Sequence, residues 1–358
     1  MISVLIMAGG TGGHVYPGLA VARVLRHRGI EVVWMGTRHG LEAQLVPPAG
    51  FDMEWISIRG LRGKGIIGWL SLPLRMLVAM TQALIVFFRR RPSVVLSMGG
   101  FVAGPGGLIA WLLKKPLVIH EANAIPGFTN RWLSRVATQV LCGFPGTFGN
   151  RSIVSHVGNP VRQDIVRLAP PTDRLRGRQG PLRLLMLGGS QGARSLNRVM
   201  ADAWCAMPLD DRPELWHRTG SRWQEEVQAA YGEDANAVRI DAFIDDMAKA
   251  YEWADIVLCR AGAMTIAELA AAGIGSILVP FPHAADDHQT ANAHYLADRD
   301  AAVVIAESDC TPPRLQRLIT ELNENRPTLV SMAENARACS MPDADVAVAR
   351  VCEELAHA

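Results

Sequence analysis

Two glycine-rich segments of this chain have the composition of anion-binding turns. The first reads MAGGTGGH at residues 7–14, and the second reads LGGSQGAR at residues 187–194. Glycine lets a ligand approach backbone N–H groups closely, and a helix that starts after such a turn favours negative charge at its N-terminus. Both segments therefore predict a phosphate or diphosphate site, to which Thr11 and Ser190 would add hydroxyl donors. For either segment alone, tight strand-to-helix packing without a ligand is the alternative.

Neither segment carries the fingerprint of a common nucleotide site. The pattern G-x-G-x-x-G is absent from both, and Met35-Gly36-Thr37 offers no acidic residue for the ribose of NAD. The chain also lacks G-x-x-x-x-G-K-S/T, which excludes a P-loop nucleotide hydrolase. A phosphate or pyrophosphate of some other ligand remains.

A third glycine turn, CRAGAMT at residues 259–265, is followed by a carboxylate. Glu268 comes three residues after Thr265 on a predicted helix, so both side chains lie on one face. A glutamate near a helix start often only complements the helix dipole. The neighbouring N–H groups favour a second use, in which Glu268 accepts hydrogen bonds from both hydroxyls of a ribose.

His14, at the end of the first glycine segment, is a candidate general base. An imidazole has an ordinary pKa of about 6.5 and can accept a proton near neutral pH. The alternative is a histidine that only caps the nearby helix. Glu121, in the segment HEAN, is the rival base, and it could equally hold His14 in place or bind an acceptor. His120 and Asn123 in that segment would orient a substrate.

Composition and charge exclude several classes of protein. Of 358 residues, 49% are hydrophobic and 20% are charged, which is typical of folded domains and not of a disordered chain. The net charge of +2 gives no basic field for nucleic acid. Six cysteines without CxxC spacing indicate a reducing cytoplasm and neither a disulfide scaffold nor a zinc site. No Asp, Glu or His cluster has metal-ligand spacing, so we expect no metal and no cofactor.

Predicted strands and helices alternate along the chain, as in α/β proteins with doubly wound parallel sheets. The pattern begins with a strand at Ile2–Met7 and a helix at 18–27, and it restarts with a strand at Arg183–Leu187. Each glycine turn would then follow a strand and open a helix. The sequence thus predicts two Rossmann-like domains in tandem that face each other across a cleft.

The restart of this pattern sets the expected domain boundaries. We expect an N-terminal domain over residues 1–162 and a C-terminal domain over residues 163–340. Residues 341–358 would form a C-terminal helix that could pack back on the N-terminal domain. The segment Arg167–Pro181, rich in Arg, Pro and Gly, is predicted to be the linker.

Residues 55–120 contain nine Lys or Arg residues and no Asp or Glu. Within them, residues 66–88 are strongly apolar but are interrupted by Pro73 and Arg75, whereas a membrane-crossing helix needs about 20 uninterrupted apolar residues. A buried helix with basic ends is the alternative, but the absence of acids favours a surface that lies on anionic lipid. The residues expected on this surface are Trp69, Leu72, Arg75, Arg89, Arg90 and Arg91.

Eight motifs occur in order along nearly the whole chain: GGTGGHVYPGLA, GLRGKG, SMGGFVAGPGG, HEANAIPGFTN, VGNPVR, GGSQGAR, FIDDM and CRAGAMTIAE. With them the chain resembles the MurG family of UDP-N-acetylglucosamine:lipid I N-acetylglucosaminyltransferases. The resemblance implies a GT-B fold and the inverting transfer of N-acetylglucosamine (GlcNAc) from UDP-GlcNAc to the C4 hydroxyl of the N-acetylmuramic acid (MurNAc) residue of lipid I. The product would be lipid II, for peptidoglycan, made at the cytoplasmic face of the inner membrane. Other cell-wall synthesis proteins are possible partners.

The resemblance also implies roles for individual residues. Ile244 would contact the uracil and Glu268 the ribose, whereas Ser190 and the Ala263–Thr265 turn would bind the diphosphate. Gln289 and Asn292 would hold the sugar hydroxyls. The implied substrate-binding set is Thr11, Gly12, Gly13, Asn123, Arg162, Ser190, Ile244, Ala263, Met264, Thr265, Ile266, Ala267, Glu268, Gln289 and Asn292. Arg162 or Arg194 would meet the leaving diphosphate.

One segment departs from the family pattern. His288 stands where the family has the first of two glutamines, and the loop before it is one residue longer. Both differences lie next to Gln289, the residue expected to hold the sugar hydroxyls. A UDP-N-acetylglucosamine 2-epimerase is the alternative enzyme, although it would need no lipid surface. A non-catalytic nucleotide-sugar-binding protein is the other alternative.

Overall fold

The computed structural model describes residues 2–58, 72–188 and 193–357. The chain forms two compact units, of which the first combines residues up to Arg162 with those from Met341 onward, and the second spans Gln163–Ser340. Ser190 and Trp69, for which the sequence predicts roles, lie outside the described residues, as does the side chain of Leu72.

The first unit is built on a seven-stranded parallel sheet with the strand order β3-β2-β1-β4-β5-β6-β7. Every residue of β1 and β4 is buried, because helices cover both faces of the sheet. The strands are β1 Ser3–Ala8, β2 Glu31–Gly36, β3 Asp52–Trp55, β4 Val94–Gly99, β5 Leu117–Glu121, β6 Gln139–Cys142 and β7 Val154–His156.

Helices pack on both faces of this sheet. Val4 and Ile6 of β1 face the core under α1 and the C-terminal helix, whereas Leu5 and Met7 face the core under α3 and α4. The period-2 alternation of a strand sorts these side chains between the two cores. The helices are α1 Gly12–His27, α2 Glu42–Leu45, α3 Leu72–Arg90, α4 Ala103–Leu112, α5 Phe128–Leu133 and the C-terminal helix Ala344–His357.

The second unit repeats this plan with a six-stranded parallel sheet in the order β10-β9-β8-β11-β12-β13. Its strands are β8 Arg183–Leu187, β9 Glu214–Arg218, β10 Arg239–Asp241, β11 Ile256–Cys259, β12 Gly275–Leu278 and β13 Ala302–Val304. Its α-helices are α6 Gln163–Val166, α7 Pro171–Leu175, α8 Arg194–Cys205, α9 Gln224–Tyr231, α10 Met247–Trp253, α11 Ala263–Ala272, α12 His288–Ala297, α13 Pro312–Glu324 and α14 Arg326–Ala338. Short 3-10 turns lie at Leu209–Asp211, Gly232–Ala237, Ala285–Asp287 and Glu307–Asp309.

The predicted pair of doubly wound parallel sheets is confirmed. The predicted linker over residues 167–181 is wrong, because this segment lies within the second unit and contains α7. Arg174 on α7 donates hydrogen bonds to the carbonyl groups of Tyr251 and Gly273 in the second unit. The strand order reverses between β1 and β4 in one sheet and between β8 and β11 in the other. Ligands of such sheets bind at these switch points, beyond the carboxyl ends of the strands.

Candidate active site

His14 lies at the switch point of the first unit, on the first turn of α1. Its Nδ1 atom is 3.4 Å from Oγ1 of Thr11, and its ring packs on the end of β4. A Cβ atom on Gly99 would lie 2.9 Å from Cδ2 of His14, and Gly99 has a φ of +99°, so only glycine fits there. Gly99, the last residue of β4, thus makes room for the imidazole.

The surroundings of His14 keep its imidazole neutral at neutral pH. Burial lowers the pKa of His14 below its ordinary value of 6.5, and this effect outweighs the Glu121 carboxylate, the Gly9 carbonyl and the Glu42 carboxylate, which raise the pKa. A neutral imidazole is the form that accepts a proton. The geometry therefore suits His14 as a general base.

Glu121, the rival base, is buried and its carboxylate accepts several hydrogen bonds. Oε1 accepts from the backbone N–H of Asn123 at 2.9 Å and from its side-chain amide at 3.2 Å. Oε2 accepts from the N–H of Gly127 at 3.1 Å and from the amide of Asn130 at 2.9 Å. A carboxylate offers about four acceptor positions, so this network occupies the group. The carboxylate of Glu121 therefore holds the HEAN loop, a role beyond the three that the sequence suggested.

His120 does not reach the surface of the switch point. It is fully buried, and its Nε2 lies 2.9 Å from the carbonyl oxygen of Gly158. Burial lowers the pKa of His120, so the ring is neutral and supports the adjoining loop. The expectation that His120 orients a substrate is not met by this placement.

The second unit has a cavity of about 1110 Å³ at its own switch point, between the ends of β8 and β11. Its volume is that of a pocket for a small organic ligand. Thr265 and Gln289, two residues of the predicted substrate-binding set, line it together with Gly188 and Gly262. Its cationic lining consists of Arg194, Arg198, Arg218, Arg222 and Arg260. Guanidinium groups in this number suit a ligand that carries phosphates.

Two of these arginines are held by carboxylates. Arg194 Nε lies 2.8 Å from Glu226, and Arg260 Nη2 lies 2.6 Å from Glu307. The Arg260 side chain also donates to the carbonyl oxygen of Val279 at 3.1 Å, which fixes its guanidinium at the end of β11. The cavity therefore presents guanidinium groups whose orientation is set by the protein.

Glu268 lies on α11, one turn beyond Thr265, as its spacing predicts. Its Oε2 accepts a hydrogen bond of 3.0 Å from the hydroxyl of Tyr251. Tyr251 is fully buried, and burial together with the Glu268 carboxylate raises the pKa of Tyr251 well above its usual value of 10. The phenol therefore stays protonated and orients the carboxylate.

The other predicted residues of the second unit differ in exposure. Asn292 is 0% exposed and donates to the Ala261 carbonyl at 3.2 Å, so it supports the glycine turn and does not line the cavity. Gln289 lines the cavity, and its Oε1 accepts from the N–H of Phe281 at 2.9 Å. Ala263, Met264, Ile266 and Ala267 form the first turns of α11, whereas the Ile244 side chain is buried before α10.

In the first unit, Gly12 and Gly13 begin α1 beside His14. The Arg162 guanidinium lies 5.9 Å from the ring centre of Tyr16, near the same first turns of α1. In the part of the chain that the structure describes, no group of three or more His, Cys, Asp or Glu side chains is placed to hold a metal ion.

Known families match both units. Residues 4–142 match the N-terminal domain model of glycosyltransferase family 28, and residues 183–348 match its C-terminal domain model. A relative from Nitrosococcus oceani, described as a UDP-N-acetylglucosamine--N-acetylmuramyl-(pentapeptide) pyrophosphoryl-undecaprenol N-acetylglucosamine transferase, is 54% identical over 99% of both chains. The chain belongs to this transferase family.

Further comparisons agree with this membership. A relative of the same description from Alkalilimnicola ehrlichii is 50% identical over 99% of both chains. The crystal structure of Acinetobacter baumannii MurG has a TM-score of 0.84 and 39% identity, and the match covers 99% of this chain and 100% of that one. The resemblance to the MurG family is thus confirmed, and it favours a transferase over the alternative epimerase.

This family member has an exposed apolar face on α3. Leu74 is 67% exposed and Phe88 is 64% exposed, and Leu77 and Ile85 are exposed between them at helical spacing. α3 packs beside α4, and α4 beside α5, which add exposed aromatic side chains. We call these side chains the apolar face: Leu74, Leu77, Val78, Ile85, Phe88, Trp111, Leu112, Phe128 and Trp132. None of the helices in the described segments has the length and hydropathy needed to cross a membrane.

Two of the arginines expected on the lipid-facing surface, Arg89 and Arg90, form ion pairs with acidic residues. Arg89 forms an ion pair with Glu54 of β3, and Arg90 pairs with both Glu54 at 2.7 Å and Asp52 at 3.1 Å. These acids precede the acid-free stretch in sequence but lie beside the end of α3 in space. Arg75 and Arg91 are exposed, and Arg89 is exposed as well despite its ion pair.

Sequence reasoning missed two carboxylate contacts in this transferase. One is the hydrogen bond from Tyr251 to Glu268, for which the residues around Tyr251 carry no recognisable motif. The other is Glu42, which is fully buried at the start of α2. The glycines around it, in the stretch MGTRHGLE, are the one local signal of a close approach.

Proposed function

We propose that this chain transfers GlcNAc from UDP-GlcNAc to the C4 hydroxyl of the MurNAc residue of lipid I. The observation that carries the proposal is the 54% identity, over 99% of both chains, to a relative described as that transferase. The product is lipid II, the precursor of peptidoglycan.

The second unit offers the donor site. The arginine-lined cavity and the N-terminus of α11 would bind the diphosphate, because both favour negative charge. Glu268, one turn along α11, would accept hydrogen bonds from the ribose hydroxyls, and its orientation by Tyr251 supports this role. Gln289 at the cavity wall would contact the sugar, and Ile244 would contact the uracil.

His14 would act as the general base on the acceptor. It takes the proton of the C4 hydroxyl while that oxygen forms a bond to C1 of GlcNAc. The bond between C1 and the diphosphate oxygen breaks, UDP leaves with the electron pair, and the configuration at C1 inverts. Donors prearranged around the leaving diphosphate typically contribute a few kcal/mol each to such a transition state. Thr11, Gly12, Gly13, Asn123 and Arg162 would contact the substrates around this step.

The apolar face would bind the membrane that holds the lipid-linked acceptor. Exposed Leu, Phe and Trp side chains beside exposed cations such as Arg75 and Arg91 are suited to an interface of acyl chains and anionic headgroups. We place the protein as a peripheral protein at the cytoplasmic face of the inner membrane.

A transfer assay tests the proposed reaction. Pure protein, UDP-GlcNAc labelled in the sugar and lipid I should yield label in the lipid extract and one equivalent of UDP. Label that appears instead as UDP-ManNAc in solution would indicate the epimerase. Binding of UDP-GlcNAc without any turnover would indicate the non-catalytic protein.

A further inference from the structure

Glu42 carries a buried carboxyl group to which the reaction above assigns no role. It is 0% exposed and lies between the ends of β1 and β2. Oε2 accepts a hydrogen bond of 2.9 Å from the N–H of Gly10, in the first glycine segment. Oε1 accepts from the N–H and from the hydroxyl of Thr37, both at 2.8 Å. The carboxyl group therefore joins the loops that follow two neighbouring strands.

The backbone around Glu42 leaves room for this side chain. A Cβ atom on Gly9 would lie 2.7 Å from Oε1 of Glu42, and one on Gly36 would lie 2.7 Å from Cγ. A Cβ atom on Gly40 would collide with the carboxyl group as well. Three glycines from two segments, residues 7–14 and 35–42, thus form a cradle for one carboxyl group.

The chemistry of the cradle indicates more than packing. A buried polar group costs free energy unless it is hydrogen-bonded, and an apolar side chain would fill the same space without that cost. The partners of Glu42 are backbone and hydroxyl donors, and one of them belongs to the loop that ends at His14. Gly10 has a φ of +94°, which glycine adopts about as readily as a negative φ, so the N–H bond to Glu42 selects one of several conformations open to this loop.

We propose that Glu42 is a positioning residue, whose carboxylate holds the Gly9–Gly13 loop in the conformation that presents Thr11 and His14 to the acceptor. This inference rests on the proposed function, because it assigns the loop to the acceptor. Glu42 touches no substrate and acts through the backbone of Gly10.

Three ionisable groups face the His14 imidazole. Glu42 approaches from α2 and Glu121 from β5, and both carboxylates raise the pKa of His14. His120, also on β5, interacts with His14 electrostatically. Removal of the negative charge of Glu42 should therefore lower the pKa of His14 further. This shift follows from the charge alone, so the positioning role is tested by the fall in kcat of Glu42→Asp, which keeps the charge and shortens the side chain.

The test compares Glu42→Gln and Glu42→Asp with the wild-type protein. Gln has the size of Glu but places an NH2 group against N–H donors, and we expect kcat to fall about 10- to 100-fold. The KM for UDP-GlcNAc should change by less than about twofold, since the donor residues lie in the other unit. As the pH is lowered, kcat/KM should fall because His14 takes up a proton. The midpoint of this fall, the acid limb of the profile, should lie at lower pH in Glu42→Gln than in the wild type. Glu42→Asp keeps the charge, so its kcat should fall while its acid limb stays in place.

A second readout does not depend on turnover. The pKa of His14, followed by NMR of histidine-labelled protein, should fall in Glu42→Gln. The matched control is Asp345→Asn, which removes another buried carboxylate of the same unit, one that accepts from the Val346 N–H at 2.8 Å. This control should keep the wild-type His14 pKa and kcat.

Wild-type kcat in folded Glu42→Gln would overturn the proposal, whatever the pKa of His14. If Glu42→Gln does not fold, wild-type kcat in Glu42→Asp would overturn it instead. A wild-type protein that transfers no sugar to lipid I would refute the proposed function. The NMR titration would still decide whether Glu42 sets the state of His14.

Discussion

The hydroxyl of Tyr251 donates a 3.0 Å hydrogen bond to Oε2 of Glu268, and this bond joins α10 to α11 beside the arginine-lined cavity. Tyr251 is fully buried, whereas Glu268 is half-buried. A buried phenol that packs on all sides has one orientation available to it. The carboxylate that we assign to the ribose is therefore oriented before any ligand binds.

Tyr251→Phe should weaken UDP binding while the protein stays folded. The variant removes one hydrogen bond and leaves the ring in place, so we expect a loss of about 1 kcal/mol, or about fivefold in Kd. Glu268→Ala removes the ribose contact itself and should weaken binding by more, about 10- to 100-fold. Isothermal titration calorimetry with UDP measures both effects. Tyr295→Phe, which removes a 2.8 Å bond to the Cys339 carbonyl outside the cavity lining, should leave the affinity unchanged.

His14→Ala should reduce turnover and spare donor binding. A general base contributes about 10²- to 10⁴-fold to the rate, and His14 belongs to the unit that lacks the arginine cavity. Steady-state kinetics on lipid I should show the fall in kcat, and calorimetry should give wild-type affinity for UDP. His156→Ala, an exposed histidine at β7, is the control and should retain wild-type kcat. Wild-type turnover in His14→Ala would remove His14 from the mechanism.

The pH profile should report the lowered pKa of His14. Because the neutral imidazole is the active form, kcat/KM should fall as the pH drops through that pKa. Burial lowers the pKa of His14, so the midpoint of this acid limb should lie below 6.5. The residual kcat/KM of His14→Ala should not show this fall at low pH, because the variant lacks the imidazole. A midpoint above 6.5 would contradict the assignment.

His217 should make the fold less stable in acid. Burial lowers the pKa of His217 to about 3, and the ring contacts the Tyr231 hydroxyl at 2.8 Å and Asn197 at 3.2 Å. Between pH 6.5 and 3 the unfolded chain binds a proton at His217 that the folded chain does not bind. As the pH falls through this range, the free energy of unfolding should therefore decrease by up to about 1.4 kcal/mol per pH unit. Urea unfolding at several pH values gives the free energy of unfolding of each protein. This free energy should change less steeply with pH in His217→Gln than in the wild type. Equal slopes would contradict a neutral buried His217.

The double variant Arg75→Glu with Lys114→Glu should weaken binding to anionic vesicles. Both residues are exposed, on or next to helices of the apolar face, and raised salt should have the same effect because it screens exposed charges. Arg89 and Arg90 are poor choices for this test, since their reversal would also break the ion pairs with β3. Co-sedimentation with anionic and neutral vesicles measures the binding.

The control for this experiment is Arg23→Glu with Arg350→Glu, two exposed arginines on α1 and the C-terminal helix, which cover the opposite face of the first sheet from α3 and α4. It has the same change in net charge and should bind vesicles like the wild type. A similar loss in the control would mean that net charge, and not this surface, governs binding.

The sequence by itself determined the two parallel sheets, the glycine turns at their switch points and the placement of Glu268 one turn after Thr265. These features follow from local patterns, because strand burial, turn glycines and helical spacing act between near neighbours in the chain. Local patterns also placed His14 at the end of a glycine turn, although the helix that they predicted from residue 18 begins at Gly12. Local patterns do not predict the strand order of a sheet, and so they do not predict which strand ends become neighbours.

Only the tertiary structure decided which polar side chains form hydrogen bonds or ion pairs with one another. Glu42 meets Gly10 because β2 pairs with β1, and Arg90 meets Glu54 because the end of α3 lies beside β3. In the same way Asn292, a candidate sugar contact in the sequence, is buried under the third glycine turn. These contacts join residues that are far apart in the chain, and sheet order and helix packing select them. The stretch without acids in the sequence therefore lies against acids in the folded molecule.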